Sequence, residues 1–327
     1  MAIIAVAGGT GNVGRAIVEA ILSTKKHQVI IFSRKADPTL SAQIGCPIIP
    51  VDYTSIPSLT QTLIDNQIHT LISTIAMHSP DGSTPNEIEL IRAADISPVT
   101  KRLISSGWGI PVLNHPSYLG IPSTHHKLSA LSTLHSTTTL EYTIFHTGYF
   151  MDYFGLPNYP SYLSRVPLVS WLDIPHAKAS IPGKGNTPVH FTHTSDVAKF
   201  VAASLDLPKW EKETFIYGDK LTWNQFLTLA EQATGKKFEV VYDDLEKLKR
   251  GEPTELPGQK KLYEFIPKEV IQGLSAIFGI WFEEGKVELK PSDGKFLNDL
   301  LPEIKTLKVA EMLEVAWRKG QQVEGKE

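Results

Sequence analysis

The segment Gly8-Gly9-Thr10-Gly11-Asn12-Val13-Gly14 constrains the fold more than any other part of the chain. It follows an apolar run, Ile3-Ile4-Ala5-Val6-Ala7, that reads as a fully buried strand. It leads into a stretch where Val13, Ala16, Ile17, Ala20 and Ile21 recur at helical spacing. A strand that turns through glycines into an amphipathic helix opens a βαβ unit. The glycines fit GxGxxG from Gly9 or GxxGxxG from Gly8, and the physics is shared. Residues without a Cβ permit a tight turn, close approach of backbone to a phosphate, and tight packing of helix on strand. The helix then aims its free N–H groups and positive dipole end at that phosphate. The segment is a candidate cradle for the pyrophosphate of a dinucleotide.

The pattern continues through the first half. Apolar runs at residues 27–32, 47–51, 70–75, 101–105 and 142–146 alternate with helical stretches at 58–66, 87–94 and 127–136. This alternation predicts a parallel sheet. From Tyr149 the character changes. Proline and aromatic residues crowd 149–175, which suits the irregular wall of a cleft. Regularity returns at 187–191. A helix over 196–207, another with Thr222 as N-cap, a mostly helical stretch over 247–284 and a last helix over 307–319 follow. The expected fold is α/β: a Rossmann-type doubly wound sheet over 1–150, then a smaller, mainly helical substrate lobe over 151–327. Residues 187–222 of that lobe are expected to return and pack on the first domain.

Composition excludes several classes. The formal net charge is −3, with no basic block to hold a nucleic-acid backbone. The single cysteine, Cys46, excludes an intrachain disulfide and a cysteine metal cluster. No apolar run reaches the length of a membrane span. The first strand begins directly after Met1, which leaves no room for a signal peptide, so a soluble cytoplasmic protein is expected. His125 and His126 are adjacent and diverge; His190 and His193 share no face, and no metal site is expected. No GxSxG elbow is present.

Spacing extends the dinucleotide reading. The second strand ends Phe32-Ser33-Arg34-Lys35. An NAD site places an acidic residue there for the ribose 2′-hydroxyl, whereas Arg34 and Lys35 suit the 2′-phosphate of NADP(H). Asp52 and Tyr53 are placed near the adenine, with an N-cap role as the alternative. Ser73, Thr74, Ile75 and Ala76 end the fourth strand, where the nicotinamide half belongs. With Gly8, Thr10, Gly11, Asn12, Val13, Gly14 and Ser33, these are the candidate cofactor residues. None of the ten tyrosines has a lysine four residues on, so the acid/base pair of common short-chain dehydrogenases is missing.

Several segments together resemble the NmrA-like branch of atypical short-chain dehydrogenases/reductases, especially isoflavone reductase-like and phenylcoumaran benzylic ether reductase-like enzymes. Besides the glycine segment and Ser33-Arg34-Lys35, the carriers include Val51-Asp52-Tyr53, Lys101-Arg102-Leu103-Ile104-Ser105-Ser106-Gly107-Trp108-Gly109 and Thr194-Ser195-Asp196-Val197-Ala198. The match covers most of the chain, is weakest between Asp244 and Lys290, and is similar in style to fungal members. It implies NADPH-dependent reduction of an aromatic or conjugated small molecule in specialised metabolism. It places the catalytic acid/base at Lys127, which would also touch the cofactor; the adjacent His126 is a second candidate for proton transfer. The substrate wall would come from Met77, His78, Tyr118, Tyr149, Phe150, Tyr153, Phe154 and Trp171, whose rings suit a flat ligand; glue between the lobes is the alternative. The protein would act as a monomer or homodimer.

Two departures stand out. Where the family's fifth-strand motif reads proline, serine, glutamate, aromatic, glycine, this chain has Ser105 for the proline and Gly107 for the glutamate. The missing carboxylate keeps two other readings open. One is a non-redox isomerase, cyclase or dehydratase on the same fold. The other is a non-catalytic NmrA-type regulator that senses dinucleotides.

Overall fold

The computed structural model describes residues 1–75, 87–111, 122–163 and 167–318. β1 (Ile3–Ala7) leads to α1 (Asn12–Thr24), β2 (Gln28–Ser33), α2 (Pro38–Ile44), β3 (Ile48–Pro50) and α3 (Ile56–Asp65). β4 (Thr70–Ser73), α4 (Glu87–Ile96), β5 (Arg102–Ser105), α5 (Pro122–His135) and β6 (Glu141–His146) follow. Next come β7 (Tyr149–Phe150), α6 (Asp152–Gly155), β8 (Leu172–Asp173), β9 (Lys178–Pro182), β10 (Pro188–Thr192) and α7 (Thr194–Ser204). Then come β11 (Glu213–Phe215), β12 (Asp219–Thr222), α8 (Trp223–Thr234), β13 (Glu239–Asp243) and α9 (Leu245–Lys249). A 3-10 helix (Pro257–Glu264), α10 (Lys268–Glu283), α11 (Leu297–Leu300) and α12 (Val309–Trp317) complete the described chain.

Seven strands form one parallel sheet in the order β11-β6-β5-β4-β1-β2-β3. β1 sits inside it, with Ala7 opposite both Phe32 and Ser73. A strand buried on both faces must be apolar throughout, which is why residues 3–7 show no alternation. Ala5 and Ala7 belong to a core built with Leu59 and Leu63 of α3, Leu90 and Ile91 of α4, and Ala130 and Leu134 of α5. Val6 and Ile31 lie on the other face, beside Val18 of α1. α7 packs along α1. The doubly wound α/β class read from the sequence is the one observed.

Two elements of this sheet region escape sequence reading. α2 buries no residue, so it carries no periodic apolar signal; Asp37 caps it by accepting from Leu40 N at 2.8 Å. β11 is only three residues long and becomes a strand by pairing with β6, Glu213 opposite Ile144.

The chain divides into two compact units. Unit 1 holds residues 1–147, 194–216 and 290–304; unit 2 holds 148–193, 217–289 and the chain from 305 on. Thus α7 and β11 belong with the parallel sheet, whereas β10 and β12 pair with each other in unit 2. Unit 2 contains two three-stranded sheets, β12-β10-β7 and β13-β9-β8, between its helices. Its stretch at 149–175 is therefore less irregular than its composition implies, with β7 and β8 within it. Thr222 caps α8 as expected, in a capping box with Gln225. Among the described residues no helix is long and apolar enough to cross a membrane.

Candidate active site

Parallel strands end together at one edge of a sheet, and ligands bind there where the strand order reverses. In unit 1 that point lies between β1 and β4. Gly8 leaves β1 with φ +79°, in the left-handed region, and its N–H donates to Phe32 O at 3.1 Å. A Cβ on Gly8 would lie 2.9 Å from Thr74 Oγ1; one on Gly14 would overlap the same oxygen and lie 2.5 Å from Gly8 O. Thr74 is wedged there because its N–H and hydroxyl both donate to Ala7 O, at 2.8 and 2.7 Å. Gly8 and Gly14 are thus packing glycines that press α1 onto the turn. Gly11 differs: a Cβ there would meet nothing within 4 Å. It caps α1 with extended backbone and no side-chain hydrogen bond, and the first turn holds no acidic residue. Thr10 is half-buried, Asn12 exposed and Val13 buried beneath them. Open backbone over an uncapped, acid-free helix start fits a pyrophosphate.

Arg34 and Lys35 stand exposed at the end of β2, beside half-buried Ser33. Tyr53 braces this end: its hydroxyl donates to Phe32 O at 3.0 Å. Burial holds its phenol above the usual tyrosine range, opposed by a contact with the Gly8 backbone and by the charge of Arg34. Asp52 is exposed and accepts from Thr54 N and Thr54 Oγ1, at 2.9 and 2.6 Å. The Thr54 hydroxyl bond, then the N–H bond, lower its carboxyl. The N-cap of α3 is Ser55, which accepts from Ser58 N, and not Asp52.

At the ends of β4 and β5 the structure assembles a cluster that sequence reading missed. Ser73 is fully buried, and its carbonyl accepts from Trp108 Nε1 at 3.0 Å. Ser106 Oγ donates to Ile75 O at 2.8 Å. Between them sits Glu87, in the first turn of α4 and 1% exposed. Its Oε1 accepts from Ser106 N at 2.6 Å and from Ser105 Oγ at 2.9 Å. Its Oε2 has no partner, and neither has the hydroxyl of Ser73. That hydroxyl is close enough to favour the Glu87 carboxylate but completes no hydrogen bond. Burial pushes the Glu87 carboxyl above the usual range; the Ser106 and Ser105 bonds and the charge of Lys127 oppose it. The signal for Glu87 was present. Residues 87, 90, 91 and 94 share one helix face, and Leu90, Ile91 and Ala94 are all buried, so a carboxylate stands on the apolar stripe.

Lys127 lies on α5, on the side that also carries Ala130 and Leu134. Its residue surface is half-buried while its ammonium end is deep. Burial holds the amine below the usual lysine range, and the charge of Glu87 opposes this. The two groups act on each other through space, since Glu87 Oε2 meets no donor and Oε1 is taken by the two serines. A desolvated amine gives up a proton more readily than a solvated lysine. His126, next along α5, is half-buried and His125 exposed.

Ala76, Met77, His78 and Tyr118 lie outside the described residues. Tyr149, Phe150 and Tyr153 in unit 2 keep part of their surface open. Phe154 and Trp171 do not. They are 3% and 2% exposed, with Phe154 4.6 Å from Phe226 and Trp171 4.7 Å from Phe282 between ring centres. They are core residues of unit 2 and offer a ligand almost no surface, which corrects their expected place in a substrate wall. Tyr149 is tethered through its hydroxyl, which donates to Val169 O. Among the described residues no three His, Cys, Asp or Glu side chains converge as metal ligands.

The doubly wound sheet and the glycine turn fit an atypical short-chain dehydrogenase/reductase. A family model described as the NmrA-like family matches residues 2–312. The chain belongs to the NmrA-like family. It is 35% identical to "Oxidoreductase BOA1" of Botryotinia fuckeliana over 302 residues, 92% of this chain and 95% of that one. It is similar in fold to a ternary complex of leucoanthocyanidin reductase from Vitis vinifera, with TM-score 0.73 and 18% identity over 95% of this chain and 98% of that one. It is also similar in fold to "AtPrR2 with NADP+ and (+)pinoresinol", with TM-score 0.71 and 21% identity over 96% and 98%.

Proposed function

We propose that this protein is an NADPH-dependent oxidoreductase that reduces an aromatic or conjugated small molecule. The observation that carries this is the half-buried Lys127 on the core-facing side of α5, in the same unit as a sheet whose glycine turn fits a dinucleotide. A relative named an oxidoreductase and a neighbour holding NADP+ with an aromatic compound support it.

The amides at the start of α1, with Thr10, Gly11 and Asn12, would hold the pyrophosphate, over the turn that Gly8 and Gly14 shape and Val13 packs beneath. Ser33, Arg34 and Lys35 would take the 2′-phosphate, Arg34 by paired hydrogen bonds and Lys35 as a point charge. Asp52 and Tyr53 would border the adenine side; Thr74 and Ile75 would border the nicotinamide side, with Ser73, fully buried, beneath them and out of a ligand's reach. NADPH, when bound, would supply the hydride for an electrophilic carbon of the substrate. Lys127 gives the proton from its Nζ to the substrate atom that gains negative charge, so hydride and proton together make a two-electron reduction. Lys127 then regains a proton from water, with half-exposed His126 as the neighbouring group able to pass it. The open surfaces of Tyr149, Phe150 and Tyr153 suit a flat, apolar ring system.

Calorimetric titration with NADPH and NADH tests the reading. NADPH is expected to bind at least tenfold tighter than NADH, about 1.4 kcal/mol, and Arg34→Ala to erase the difference. No binding of either dinucleotide would sink the proposal.

A further inference from the structure

A carboxylate shut away from water with one oxygen unpartnered is an expensive feature. Glu87 is such a group. Its Oε1 is committed to Ser106 N and Ser105 Oγ, which fixes the plane of the carboxylate and leaves Oε2 uncommitted. Both donors come from the end of β5, the edge where a doubly wound sheet takes its ligand. Gly107, one residue on, has no room for a carboxylate of its own: a Cβ there would overlap Ile144 Cγ2, and Ile144 is buried in the core. The two departures in the fifth-strand motif, Ser105 and Gly107, therefore meet in one arrangement: one residue holds an imported carboxylate, and the other excludes a local one.

We propose that Glu87 is the positioning carboxylate of this site, supplied from α4 and held by Ser105 and Ser106, and that it serves as the counter-charge to Lys127 until the proton is passed on. The proposal rests on reading Lys127 as the proton donor. Electrons and atoms balance simply: Nζ–H breaks, a bond from that hydrogen to the substrate forms, and Glu87 neither gains nor loses a proton. The two groups stand on the packed faces of α4 and α5: Glu87 lies one turn before Leu90 and Ile91, Lys127 one turn before Ala130, and those residues share one core.

Competitive acetylation of the full chain with acetic anhydride across pH, read by peptide mass spectrometry, titrates each lysine and needs neither cofactor nor substrate. Glu87→Gln keeps an oxygen for Ser105 and Ser106 and removes only the charge. It is expected to raise the reactivity of Lys127 about tenfold at a pH below its midpoint, because an amine without a facing carboxylate gives up its proton more easily. Exposed Lys209 and Lys237 serve as internal references that should not move. Should that variant fail to fold, Ser105→Ala is expected to change Lys127 reactivity in the same direction by less, since the carboxylate then loses a donor. A folded variant with unchanged Lys127 reactivity would overturn the proposal, and the dinucleotide titration would still stand on its own.

Discussion

Gly8, Gly11 and Gly14 share one turn and meet three different surroundings. Gly14 presses on Gly8 O and on Thr74 Oγ1, the latter held by its hydrogen bond to Ala7 O. Gly11 faces open space with a backbone any residue adopts. Substituting each with alanine should therefore separate stability from binding. Gly14→Ala is expected to lose about 1–3 kcal/mol of stability through overpacking. Gly11→Ala is expected to stay within about 0.5 kcal/mol of the parent, yet to weaken NADPH binding by crowding the phosphate. Thermal melts beside calorimetry distinguish the two; equal loss of stability in both would refute the assignment. The glycine spacing was legible in the sequence because the steric demand of a tight turn is local. Which glycine packs and which stays open was not, since Thr74 arrives from another strand.

At the scale of elements, α4 and α5 would supply the proposed chemistry, since their core-facing stripes each include one charged residue, Glu87 and Lys127. The amine of Lys127 is held below its ordinary value of 10.5. Between that lowered value and 10.5 the unfolded chain binds a proton that the folded chain does not, so stability rises with pH through this window. Lys127→Met is expected to flatten that alkaline rise in chemical denaturation curves taken across pH. Given a substrate, it should also abolish NADPH-dependent turnover while leaving NADPH binding in place. A variant with normal turnover would remove Lys127 from the mechanism. The helices themselves were readable from apolar spacing. The pairing of their charges was not, because periodicity states which face is buried and not what lies opposite.

At the scale of the whole molecule, acid should loosen unit 2 through His190 on β10. His190 is 2% exposed, and its Nδ1 accepts from Leu289 N at 3.2 Å, which requires that nitrogen to be unprotonated. Burial, then the charge of Lys220, hold it down at about 4 against an ordinary 6.5, with Glu288 opposing. Between these values the unfolded chain takes up a proton the folded chain refuses, so stability is full above about 6.5 and falls as pH drops toward 4, by at most about 3 kcal/mol. Melting curves over this range should show the loss, and His190→Asn, which keeps an acceptor, should reduce it; an unchanged slope would exclude His190.

The class of fold, the strand alternation of unit 1 and the glycine turn after β1 were determined by the sequence itself. They depend on short-range facts: runs of apolar residues, the helical period, and glycines where a Cβ would clash. The tertiary structure alone decided the rest. It made residues 213–215 the seventh strand by pairing them with β6. It buried Phe154 and Trp171 among the rings of unit 2. It also brought Glu87 to the end of β5, within range of Lys127. Each of these depends on partners distant in the chain, and burial, which sets both packing and charge, is a property of the neighbours and not of the residue.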